Sequence, residues 1–108
     1  MKKIYSKVDK EKLICSILKF KEINKKRTDI CPDKEFLQVS GRILKKGFSI
    51  NVHKHNILER NTTLTQEAWV VLNGRIKSKF YDLDEKFIHL EILEKGDCVV
   101  FLLSLLHE

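Results

Sequence analysis

Beyond residue 35 the apolar residues of this chain come in runs too short for helices, each cut off by turn-forming residues. Residues 36–44 read as one strand and stop at Lys45-Lys46-Gly47. Phe48, Ile50 and Val52 then alternate with Ser49, Asn51 and His53, the period of a strand with one buried face. A polar stretch, residues 56–65, interrupts the pattern. Residues 68–72 resume it, and Asn73-Gly74 separates them from residues 76–80. Asn-Gly between two such runs is the strongest short-range hairpin signal. Turns at 82–86 and 94–97 set off two more runs, residues 87–93 and 98–103.

The N-terminal part is less decided. Leu13, Ile14, Ile17 and Leu18 fall near helical spacing behind Asp9 as a candidate N-cap, and a strand over residues 13–18 fits almost as well. Residues 24–34, with Pro32 and Asp33, read as loop. The pattern predicts an all-β sandwich or barrel of about seven or more strands, with at most one short N-terminal helix.

At 108 residues the chain suits one domain. Its net charge of +6 is unevenly placed: residues 1–47 hold 14 Lys and Arg against 6 Asp and Glu, densest over residues 19–27. No zinc-finger, RNP-type or helix-turn-helix signature accompanies that cluster, so it reads as a solvated face and nucleic acid is not an expected partner. Cys15, Cys31 and Cys98 are odd in number, far apart and without C-x-x-C spacing. They read as free packing thiols of a cytoplasmic protein. The longest apolar run, residues 98–106, is interrupted by Ser104 and is far short of the ~20 residues of a membrane span, so no membrane partner is expected.

Chemistry first shows at His53 and His55. Two apart on a predicted strand, they project to one face, and paired imidazoles are a natural start for a transition-metal site. Gly47, five residues, His53-Lys54-His55, then Glu67, six residues and Gly74 resemble the first motif of the cupin superfamily. Gly96, Leu102, Ser104 and His107 are similar in spacing to the second motif, with Leu102 where Pro is usual and Ser104 where Gly is usual. Arg27, Cys31-Pro32-Asp33-Lys34-Glu35-Phe36-Leu37, Glu59-Arg60, Gln66-Glu67-Ala68-Trp69 and Phe80-Tyr81-Asp82 further resemble small single-domain bacterial cupins encoded among surface-polysaccharide and sugar-nucleotide genes. The likeness covers about residues 27–100.

That resemblance implies a double-stranded β-helix, a jelly-roll barrel, over residues 35–108, with residues 1–34 a basic segment packing on it. It implies one divalent transition metal ion (Zn, Fe, Ni or Mn) held by His53, His55, Glu67 and His107, beside a pocket lined by Glu59, Arg60, Gln66 and Trp69. Eleven residues separate His55 from Glu67 where the motif has three or four, so Glu59 competes with Glu67 as the carboxylate ligand. Trp69 has a second reading as a core residue, and His89, alternating with Ile88 and Leu90, reads as solvent-facing. The implied ligand is a small polar molecule, a sugar or sugar nucleotide, bound or isomerised or epimerised in polysaccharide biosynthesis. Two alternatives stand beside it: a non-catalytic binding or sensing cupin, and a metal-free scaffold with a basic N-terminal interaction surface. A C-terminally short barrel would leave an edge open and expose the run that begins at Cys98, which predicts a homodimer.

Overall fold

A computed structural model of the chain describes residues 1–103, and its architecture is all-β. Strands β1 (Lys2–Tyr5) and β2 (Leu13–Leu18) are followed by a 3-10 turn, Phe20–Glu22. Two short strands, β3 (Arg27–Asp29) and β4 (Ser40–Arg42), precede a long irregular segment. The chain then forms β5 (Glu67–Val70), β6 (Arg75–Tyr81), β7 (Phe87–Glu94) and β8 (Cys98–Phe101).

All pairing is antiparallel. One sheet runs β1-β2-β8-β5, while β3 with β4 and β6 with β7 form separate two-stranded ribbons. Residues 13–18 form a strand because both faces are buried: five of the six side chains of β2 and all four of β8 are inaccessible. A helix buries one stripe, whereas a near-continuous apolar run suits a central strand covered on both sides. The register Cys15↔Phe101, Ile17↔Val99 sends those four side chains to one face, against Phe80 and Leu93 of the β6–β7 ribbon. Leu18, Cys98 and Val100 face the other way, with Leu102, onto Ile30 and Cys31 of the loop joining β3 to β4.

Strand β8 therefore sits at the centre of the molecule. Of the apolar run 98–106, expected to lie exposed in a shortened barrel, residues 98–102 are covered by the chain itself, and residues 104–106 lie outside the described residues. Among the described residues the sheets do not close: the four-stranded sheet ends on β1 and β5.

The Asn73-Gly74 turn forms, with Gly74 at φ +86°, but the strands beside it do not pair with each other. Strand β5 pairs with β8, and that ladder extends through Val71 N–H to Asp97 O (3.0 Å) and Gly96 N–H to Val71 O (2.7 Å). The turn thus carries the chain from one sheet to the next. The expected hairpin is instead β6–β7, closed by Asp82 N–H to Lys86 O (2.7 Å).

The predicted strand over residues 48–53 does not form, and that over 36–44 shortens to Ser40–Arg42. Alternation marks which side chains want burial, but a strand also needs a neighbour to complete its ladder. Residues 43–66 have none among the described residues, and Val52 and Ile57 are wholly exposed. This segment makes the chain more extended than its length requires: the radius of gyration is 15.3 Å, against ~13 Å for a compact domain of this size.

Ser16 lies in the middle of β2, fully buried, and its hydroxyl has no hydrogen-bond partner. An unpaired buried hydroxyl costs about 1–3 kcal/mol. Ser16→Ala should raise the thermal midpoint by at least about 4 °C, and a fall would mean that the hydroxyl is satisfied in solution.

Candidate functional site

His53 and His55 lie in the irregular segment rather than on a strand, both exposed. Their rings still meet, with centroids 5.5 Å apart in an edge-to-face arrangement. His53 Nδ1 is 2.9 Å from the Asn51 carbonyl oxygen. A carbonyl only accepts, so Nδ1 carries the hydrogen and Nε2 keeps the lone pair that binds metal.

The carboxylates are placed differently. Glu67 opens β5, opposite Phe101 in the ladder, and Glu59 accepts a hydrogen bond from Asn61 (3.3 Å) within the irregular segment. Among the described residues no three or more His, Cys, Asp or Glu side chains gather closely enough to hold an ion. His107 lies outside the described residues. The structure thus joins the two histidines and leaves both Glu67 and Glu59 apart from them.

Three of the pocket residues do come together. Glu59, Arg60 and Gln66 line a cavity of about 560 Å³ with Asp33, Lys34 and Glu35, within the ~300–1,000 Å³ range of small-molecule sites. Arg60 Nη1 donates to Asp33 O (3.0 Å) and Glu35 O (2.7 Å), tying the irregular segment to the loop after β3. Gln66 braces the same wall: its Oε1 accepts from Leu37 N–H (2.8 Å), and its Nε2 donates to Glu35 Oε2 (2.8 Å) and Leu102 O (3.2 Å). Trp69 lies outside this cavity. It packs edge-to-face on Phe101 at 4.8 Å, at the border of the apolar core.

No protein-family model, curated protein or solved structure matches this chain. Function has to be read from the residues themselves.

The thiols are poor candidates for chemistry. All three are buried, and burial pushes Cys15 up to about 12 and raises Cys31 and Cys98 as well. A thiol held protonated is neither a nucleophile nor a ready ligand.

Sequence reasoning missed an ionic network. His89 is half-buried rather than solvent-facing, because the face of β7 that carries it also carries Glu91 and the fully buried Leu93. On that inward face His89 Nε2 donates to Glu91 Oε2 (2.8 Å), which also accepts from Lys2 Nζ (2.8 Å). Lys19 Nζ lies 3.3 Å from Glu91 Oε1 and 3.2 Å from Asp97 Oδ2, and it also donates to Ile92 O. Burial raises the Glu91 carboxyl, but hydrogen bonds from Lys2, His89 and Lys19 outweigh it and hold the group at about 2. Burial pulls Lys19 downward, yet its bonds to Asp97 and Glu91 leave it above the usual range. These groups lock each other and tie strands together. The only local signal was Gly96-Asp97, a turn that presents a carboxylate.

Proposed function

We propose that the chain is a cupin-type domain that holds one divalent transition metal ion and binds, or isomerises or epimerises, a small polar ligand of the sugar or sugar-nucleotide kind. The observation that carries this reading is the meeting of the His53 and His55 rings, with His53 Nδ1 occupied by a carbonyl and Nε2 left for a ligand bond. The donor chemistry fits: two imidazoles and a carboxylate, Glu67 or in its place Glu59, suit Zn, Fe, Ni or Mn, and His107 is the fourth candidate. When bound, the ion supplies Lewis acidity toward a carbonyl or hydroxyl oxygen of the ligand.

The chain's own residues supply recognition. Arg60 spends Nη1 on two backbone carbonyls, which leaves the donors on Nε and Nη2 for ligand oxygens. Glu59 offers acceptors in the same cavity, and Gln66 fixes its wall. A cavity that mixes donors and acceptors suits a polyhydroxylated molecule. A homodimer is part of the same proposal.

Elemental analysis of untagged protein tests the metal. We expect stoichiometric metal, or uptake on addition, that is abolished in the His53→Ala/His55→Ala variant without loss of solubility. Glu67→Ala should weaken binding more than Glu59→Ala, and the reverse order would reassign the carboxylate. A protein that holds no metal and takes up none would make the metal-free scaffold the better account.

A further inference from the structure

A second cavity, of about 380 Å³, opens where β3 begins and β4 ends, between residues 24–26 and 43–48. Lys25, Lys26 and Lys45 line it together with Ile43, Leu44 and Phe48. Next in the chain to the lining residues Lys26 and Ile43, the pairing Arg27↔Arg42 places two more cations directly opposite each other, where like charges repel. Asp29 neutralises Arg27 at 2.6 Å. Among the described residues Lys25, Lys26, Arg42 and Lys45 have no carboxylate within ion-pair distance, so the positive charge gathered around this cavity is not neutralised locally.

The cavity also has an aromatic wall held in place. The turn Lys45-Lys46-Gly47-Phe48 is closed by Phe48 N–H to Lys45 O (3.0 Å), with Gly47 at φ +81°. Positive φ at the third turn position is the type II requirement that glycine meets without strain. It folds Phe48 back so that Lys26 Nζ stands 4.8 Å from the ring centroid. Uncompensated cations beside an aromatic and aliphatic wall match a ligand that joins a dense negative charge to a planar ring.

We propose that this cavity binds a nucleoside diphosphate, with the phosphates on Lys25, Lys26 and Lys45 and the base against Phe48. The proposal goes beyond the metal reading and does not rest on it: neither His53 nor His55 takes part, and metal content is read separately. Should the nucleotide fail to bind, the metal proposal stands untouched.

Calorimetric titration with ADP, adenosine and inorganic pyrophosphate tests it. ADP should bind more tightly than about 1 mM, and adenosine should not bind measurably. Lys26→Ala should weaken ADP by about tenfold, as expected for one lost charge-assisted hydrogen bond. Phe48→Ala should weaken ADP and leave pyrophosphate unchanged. All the altered side chains lie at the surface, so unchanged thermal midpoints will show that the variants are folded. Pyrophosphate binding as tightly as ADP, with no effect of Phe48→Ala, would overturn the proposal. So would a single-stranded oligonucleotide that binds far more tightly than ADP through the same lysines, because the ligand would then be nucleic acid.

Discussion

Asp97→Ala should cost about 3–5 kcal/mol, because two backbone amides lose their acceptor at about 1–3 kcal/mol each, and lower the thermal midpoint by at least about 12 °C. Asp97 is 6% exposed. Its Oδ1 accepts from Phe20 N–H (2.8 Å), and its Oδ2 accepts from Glu94 N–H (2.8 Å) and pairs with Lys19 (3.2 Å). One carboxylate therefore closes the turn between β7 and β8, anchors the 3-10 turn and partly neutralises a half-buried lysine. Next to it Gly96, at φ +86°, lies so near Phe20 that an added Cβ would meet the ring at 2.8 Å, which keeps the 3-10 turn pressed onto this corner. Asp97→Asn keeps the shape and one acceptor but loses the charge, so about half the loss is expected of it. A fall of less than about 4 °C for Asp97→Ala would show that the corner is held by packing alone.

Individual strands were legible in the sequence, and their partners were not. The runs that became β2, β6, β7 and β8 stand out as short apolar stretches between turn residues. Asn73-Gly74 correctly marks a turn, but turn chemistry speaks only for the four or five residues around it. Partner choice was settled by β8, whose side chains are buried on both faces and which recruits β2 from more than 80 positions away through Cys15↔Phe101. His89 illustrates the same limit. Alternation assigned it to the face opposite Ile88 and Leu90 correctly, and which face turns inward depended on Lys2 and Lys19, supplied from the far end of the chain. For the site, local spacing brought out the pair His53 and His55, motif spacing brought out Glu59, and the resemblance to small bacterial cupins brought out Arg60 and Gln66. The carboxylate for the histidines could not be read that way, because residues 43–66 are irregular and nothing in their sequence fixes how far His55 stands from β5.

Acidification should unfold the domain through the same network. Glu91 titrates at about 2 in the folded chain against an ordinary 4.5. Between those values the unfolded chain binds the proton more readily than the folded one, so falling pH favours unfolding. The stabilisation is complete above about pH 5, is lost as pH falls toward 2, and amounts to about 3 kcal/mol for this one carboxyl. Asp97 and Asp82 act in the same direction. Burial raises each, but the Glu94 and Phe20 amides and Lys19 outweigh it at Asp97, and the Ser6 hydroxyl with the Lys7 and Leu83 amides does so at Asp82. Against a total stability of about 5–15 kcal/mol, the sum is enough to bring the domain close to its unfolding threshold near pH 3. Urea titrations from pH 7 to 2.5 should therefore show a steep fall in the midpoint below about pH 4.5. Glu91→Gln separates this cause from general acid sensitivity. Without the ionisable carboxyl the variant should be less stable at pH 7, where Lys2 and Lys19 lose a charged partner, yet lose less on acidification than the parent chain. Parallel curves for the two proteins would place the acid-sensitive group elsewhere.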